Sequence, residues 1–110
     1  MKNVVVIGGS GFLGSEVVNQ LLFKNYKVTI FDINKPKFSH KNLKFIKGDI
    51  LDNKKLENVI KNKFYVYNFA GIADLDYGTS QPIKSVEQNI LATVNMLNFC
   101  SKHKIKRYIY

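Results

Sequence analysis

Residues 4–22 read VVVIGGSGFLGSEVVNQLL, four glycines in seven residues between a β-branched run and a leucine-rich stretch. Val4 to Ile7 is a short continuous apolar run stopped by Gly8-Gly9, the pattern of a strand buried on both faces of a parallel sheet. From Phe12 to Lys24 the period changes: Leu13, Val17, Val18, Leu21 and Leu22 recur at helical spacing, with Lys24-Asn25 as the stop. Gly9-Ser10-Gly11-Phe12-Leu13-Gly14 therefore follows a strand and opens a helix, the context in which G-x-G-x-x-G binds a dinucleotide pyrophosphate. Four unpaired N–H groups and the positive end of the helix dipole converge there. One glycine permits the tight turn, a second lets backbone approach phosphate, and Gly14 lets the helix pack closely on the sheet. A nucleoside triphosphate loop is excluded, because Ser15-Glu16 stand where Lys and Ser or Thr are needed.

Working outward, a second strand from Lys27 to Phe31 ends at Asp32, and a third from Leu43 to Ile46 ends at Gly48-Asp49. Leu51 to Lys61 reads weakly as a helix with Leu56, Val59 and Ile60 on its apolar side, and Phe64 to Ala70 is a fourth strand closed by Gly71. The polar segment from Gly71 to Pro82 has the composition of a functional loop. Val86, Ile90, Val94 and Leu97 then lie on one side of a long helix from about Ile83 to His103, and Tyr108-Ile109-Tyr110 begins a fifth strand. Alternating strands and helices with right-handed crossovers predict an α/β, doubly wound, Rossmann-like parallel sheet in the order 3-2-1-4-5, a single domain over residues 1–110 that looks cut short after the fifth strand.

Asp32 lies 21 residues after Gly11 at the end of the second strand. A carboxylate there accepts hydrogen bonds from an adenosine ribose 2′-OH and repels a 2′-phosphate, which favours NAD over NADP. Lys35 and Lys37 leave some room for NADP, and a plain strand-end turn acid is the competing reading.

The bulk numbers narrow the class. At 110 residues there is room for one domain, and 45% hydrophobic residues is the level of a soluble globular chain. The longest apolar run is too short to span a bilayer or to form a signal peptide core, and a single cysteine, Cys100, rules out an internal disulfide, so a cytoplasmic location is expected. Of the 17 basic residues only Arg107 is an arginine, and the lysines are scattered in ones and twes along the sequence. The net charge of +9 thus reads as a solvated lysine surface rather than a nucleic-acid footprint. His40 and His103 stand in no cluster of Cys, Asp and Glu large enough for a ligand set, and no metal is expected.

With Gly8-x-x-Gly11-x-x-Gly14 overlapping Gly9-x-Gly11-x-x-Gly14, the chain resembles the extended short-chain dehydrogenase/reductases, the NAD-dependent epimerases and dehydratases of nucleotide sugars. Gly48-Asp49-Ile50 is similar to the family's element after the third strand, which implies that Asp49 meets the adenine amino group with the Ile50 backbone close by. Asn68-Phe69-Ala70-Gly71 resembles the fourth-strand h-x-A-A motif, implying that Phe69, Ala70 and Gly71 lie beside the central phosphates and ribose. Gln88-Asn89-Ile90-Leu91-Ala92-Thr93 resembles the N-h-x-G-T helix, where Asn89 would steady the active-site backbone, and Ala92 departs from the usual Gly.

The resemblance implies a nucleotide-sugar substrate and a catalytic Tyr-x-x-x-Lys pair after the fifth strand. No tyrosine here has a lysine four residues on, so no catalytic residue is assigned up to Tyr110. The expectation is a cofactor-binding part of an oxidoreductase or isomerase, inactive alone; a non-catalytic NAD(P)-binding sensor or regulatory module is the alternative. Asp74 and Asp76 in the long loop could contact a sugar, though solvated loop acids are commoner. Tyr108 and Tyr110, read as exposed beside an open sheet edge, predict self-association, with a homodimer as one form.

Overall fold

The computed structural model describes residues 1–70 and 82–110. Five parallel strands, β1 (Asn3–Ile7), β2 (Lys27–Asp32), β3 (Leu43–Lys47), β4 (Tyr65–Asn68) and β5 (Arg107–Ile109), form one sheet in the order β3-β2-β1-β4-β5. Among the described residues three helices connect them: α1 (Phe12–Phe23), α2 (Asn53–Ile60) and α3 (Pro82–Lys102). The expected order and connectivity are both present. Strand β4 is shorter than the apolar run in its sequence, because after Asn68 the chain leaves the ladder and Ala70 N–H turns back onto the Asn68 side chain.

Alternation along β1 divides the core in two. Val5 and Ile7 face α2 and α3, packing with Phe31, Leu56, Ile60, Val66 and Met96. Val4 and Val6 face α1, packing with Val18, Leu21, Leu22, Val28 and Ile30. Pairing is in register, Val6 lying beside Ile30 on one side and Tyr67 on the other.

Two helices present different faces from the ones their leucines and valines suggest. In α1, Leu13 is 65% exposed, and Gly14, not Leu13, is the first residue to turn inward. In α3 the side carrying Val86, Ile90, Val94 and Leu97 faces outward, and Ser85, Ala92, Met96 and Cys100 are buried. The buried side carries one long side chain, Met96, among smaller ones, and the larger apolar side chains of the neighbouring side point away from the core.

Each helix ends on a residue in the left-handed region that is not glycine: Asn25 (φ 66°), Asn62 (φ 67°) and Lys104 (φ 55°). At α1 the Tyr26 N–H donates to Leu21 O and the Asn25 N–H to Leu22 O; at α3 the Ile105 N–H donates to Cys100 O and the Lys104 N–H to Ser101 O. Both are Schellman closures, which satisfy the last helical carbonyls and turn the chain directly into the next strand.

Parallel strands bring every strand entry to one edge, and with them lysines that are far apart in sequence: Lys2, Lys27, Lys41, Lys63 and Lys106. Lys2 and Lys106 both place their ammonium groups against the Phe64 ring, 4.4 and 5.2 Å from its centroid. Asp32 and Asp49 lie at the opposite edge, where the strands end.

Candidate dinucleotide site

The strand ends of β1, β2 and β4 meet at the point where the chain's winding reverses about β1, the place where open α/β sheets bind ligands. Gly8 makes the turn out of β1 with φ +79°, and its N–H donates to Phe31 O at 2.9 Å. A Cβ on Gly8 would lie 2.6 Å from Ala70 N and 2.7 Å from the Phe69 carbonyl carbon, so this turn rests directly on the Phe69–Ala70 peptide. Gly9 is buried against the Ile30 side chain.

Gly14 is required by close backbone packing. A Cβ there would overlap the Gly8 carbonyl oxygen and sit 2.9 Å from Gly9 Cα. Gly14 therefore packs the first turn of α1 onto the glycine turn at the end of β1. Gly11 differs: among the described residues the sole atom near its missing Cβ is Gly8 O at 3.5 Å, so the residue borders open space there.

Gly11 is also the N-cap of α1, with no side-chain cap and no acid in the first turn. Ser15 N–H takes the first helical bond, to Gly11 O, so the N–H groups of Phe12, Leu13 and Gly14 precede any helical acceptor. The Phe12 and Leu13 side chains are exposed, 92% and 65%. Ser10 lies between: its N–H donates to Asp32 Oδ2 at 3.0 Å, while its Oγ is enclosed with no hydrogen-bond partner. An uncapped helix start, an open glycine face and an orphaned hydroxyl together fit an anionic group such as a pyrophosphate.

Asp32 is held from two sides, Oδ2 by Ser10 N–H and Oδ1 by Asn34 N–H, both 3.0 Å. The carboxylate is thus fixed at the end of β2 facing the glycine turn. Asp49 is exposed and its Oδ1 accepts from Leu51 N–H at 2.9 Å, a turn contact at the entry to α2. Gly48 before it is required by packing, because a Cβ would run into the Phe31 ring. Ile50 is half-buried against the α2 side of the core.

Phe69 and Ala70 sit side by side at the end of β4, Phe69 packed toward α1 and Ala70 toward α2 and α3. Asn89, on α3, is half-buried. Gly71, Asp74, Asp76 and the rest of 71–81 in the segment read as a loop from Gly71 to Pro82 lie outside the described residues, and Pro82 itself opens α3.

Sequence reasoning gave neither Asn68 nor Tyr108 a role in the dinucleotide site. Asn68 Oδ1 accepts from Ala70 N–H at 3.0 Å and its Nδ2 donates to the Tyr108 hydroxyl at 2.7 Å. Tyr108 is accordingly half-buried, and of the two tyrosines read as exposed only Tyr110 is, at 91%. The available signal was an amide ending a strand of apolar and aromatic residues.

His103 also has a partner that its local sequence hides. Its Nε2 lies 2.7 Å from Glu57 Oε2, which Lys102 Nζ reaches at 2.8 Å. His40 Nδ1 accepts from Asn42 N–H. Among the described residues no group of His, Cys, Asp or Glu could hold a metal, and no helix is long and apolar enough to cross a membrane.

Burial pushes the Cys100 thiol up to about 11 and raises both Tyr67 and Tyr108. These shifts are opposite to those a nucleophile or general base needs.

The model of the NAD dependent epimerase/dehydratase family matches residues 4–110. The dTDP-D-glucose 4,6-dehydratase of Dictyostelium discoideum is 35% identical over an alignment that covers 100% of this chain and 28% of that protein. A UDP-N-acetylglucosamine 4-epimerase from Methanobrevibacter ruminantium, solved with UDP-N-acetylmuramic acid, superposes with TM-score 0.85 at 35% identity, covering 99% of this chain and 37% of that one. The UDP-glucose 4-epimerase of Thermus thermophilus, solved with NAD, gives TM-score 0.86 at 26% identity over 98% of this chain and 36% of its own. The chain spans about a third of the length of these relatives. A family match over almost every residue, on a sheet of the expected order with its glycine turn at the winding reversal, makes this chain a member of the NAD-dependent epimerase/dehydratase family.

Proposed function

We propose that residues 1–110 are a single NAD-binding domain, the cofactor half of a sugar-nucleotide epimerase or dehydratase. The observation that carries this reading is the uncapped start of α1 beside Gly11, with Asp32 pinned to Ser10 N–H one strand away. Phe12, Leu13 and Gly14 offer backbone N–H groups to a pyrophosphate, and the Ser10 hydroxyl supplies a further donor. Asp32 receives the adenosine ribose and disfavours a 2′-phosphate, making NAD the preferred dinucleotide. Asp49 and Ile50 flank the adenine, Phe69, Ala70 and Gly71 the inner phosphates and ribose, and Asn89 steadies the neighbouring backbone. Bound NAD supplies the means to take hydride from a ring carbon of a nucleotide sugar.

The proton transfer that accompanies hydride transfer calls for a Tyr-x-x-x-Lys pair, and no tyrosine of residues 1–110 has a lysine four residues on. The 110-residue chain alone therefore binds the cofactor and turns nothing over. Its lone buried thiol supports a cytoplasmic setting. The outward stripe of Val86, Ile90, Val94 and Leu97 supports a homodimer.

Calorimetric titration with NAD and NADP tests the reading. Saturable NAD binding tighter than NADP, with no epimerase or dehydratase turnover of UDP- or dTDP-sugars, is the expected result. Failure to bind either dinucleotide, or turnover by the chain alone, would overturn it.

A further inference from the structure

Asn68 and Tyr108 are joined diagonally across β4 and β5, Tyr108 standing beside Val66 in the register and Asn68 two residues further on, on the same face. The chain of contacts continues in both directions. Toward α3, the Tyr108 hydroxyl donates to Met96 Sδ at 3.8 Å, beneath the fully buried Met96. Toward the site, Asn68 Oδ1 holds Ala70 N–H at 3.0 Å, and Phe69 N–H donates to Ile7 O at 2.8 Å. The Phe69–Ala70 peptide so fixed is the surface on which the positive-φ turn at Gly8 rests.

An asparagine amide has one oxygen and one NH2, and here each has a single defined task. The oxygen sets the Ala70 peptide; the NH2, bonded to Tyr108, sets the rotamer of the oxygen. Without the hydroxyl, the side chain can turn and release Ala70 N–H.

We infer that Asn68 and Tyr108 act together as positioning residues for the dinucleotide, holding the Phe69–Ala70 backbone as the floor of the glycine turn. This rests on the proposed NAD site and deepens it. Asp32 and Ala70 lie at the ends of β2 and β4, on opposite sides of β1. Losing the couple should therefore weaken a ligand that spans the turn far more than one confined to the Asp32 side.

The test measures dissociation constants for NAD and for AMP, with the thermal midpoint, in the 110-residue chain and in Tyr108→Phe, Asn68→Ala and Asn68→Asp. In Tyr108→Phe and Asn68→Ala we expect NAD to weaken about five- to tenfold and AMP by less than about twofold. Asn68→Asp should stay within about threefold of the parent, since one carboxylate oxygen can accept from Ala70 N–H and the other from the tyrosine hydroxyl, which can turn to donate. Unchanged NAD affinity in Tyr108→Phe overturns the inference. So does equal weakening of NAD and AMP in step with a fall in the thermal midpoint, the mark of a purely structural role. If the unaltered chain binds neither ligand, the dinucleotide reading itself falls, and this inference with it.

Discussion

A methyl group on Gly14 would occupy the position of the Gly8 carbonyl oxygen. The first turn of α1 and the turn that follows β1 are thus packed backbone to backbone. Gly14→Ala should destabilise the fold on the order of 2–3 kcal/mol, because the helix must move to admit the methyl. Gly11→Ala, at φ −77° and bordering open space, should leave stability within about 1 kcal/mol while weakening NAD binding. Urea unfolding and NAD titration of the two variants separate the effects; equal stability loss in both would contradict the packing described.

Asp32 joins two backbone N–H groups to a fixed negative charge. Asp32→Asn retains an acceptor oxygen and removes the charge, so the preference for NAD over NADP should fall by about tenfold or more, since repulsion of the 2′-phosphate is lost. Competitive titration with both dinucleotides reads this out. An unaltered ratio would assign the carboxylate to the turn alone.

Glu57 on α2 bridges to Lys102 and His103 of α3, and these hydrogen bonds, Lys102 first, hold its carboxyl below the ordinary value of 4.5. A lowered carboxyl stabilises the fold above that value, and the contribution disappears as pH falls through the lowered one. Glu57→Gln should therefore be less stable than the parent at neutral pH and approach it in strong acid. Thermal melts from pH 7 down to about pH 3 would show the two curves converging; parallel curves would exclude the bridge as a source of stability.

Lys63 is half-buried beside Lys44, and burial, then that neighbouring charge, pushes its ammonium below the usual lysine range. The unfolded chain binds this proton more tightly, so the fold gains stability as pH rises from the lowered value toward 10.5. Lys63→Met should raise the melting temperature and reduce its increase with added salt, which in the parent screens the crowded lysines at the strand entries. Melts at low and high ionic strength test both parts.

Lys104 closes α3 with φ 55°. Lys104→Gly should stabilise the chain by roughly 0.5–1 kcal/mol, the cost of a side chain in the left-handed region less the entropy glycine adds to the unfolded state. A lower unfolding midpoint would show that the lysine stem contributes packing that outweighs the strain.

Periodicity made most of the fold legible. Val4 to Ile7 read as a strand buried on both faces and Lys27 to Phe31 as a second strand, and the shift to helical spacing at Phe12 located the glycine turn between strand and helix. These are local properties, set by which side chains follow one another on the backbone. Asp32 was legible for the same reason, since its distance from Gly11 is the length of one helix and one strand.

The tertiary structure alone decided what meets across elements. The partner of Gly14 is Gly8, reached only when α1 folds back over the turn. Asn68 and Tyr108 are 40 residues apart and His103 and Glu57 are 46, so no spacing rule links them. The side of α3 that turns inward carries Ser85, Ala92, Met96 and Cys100, so its facing was set by fit between elements rather than by hydrophobic count. Lysines scattered along the sequence gather at one edge because parallel strands all begin there. Residue order determines local geometry and period; packing determines partners, because contact depends on shape and distance between elements that the order of residues does not encode.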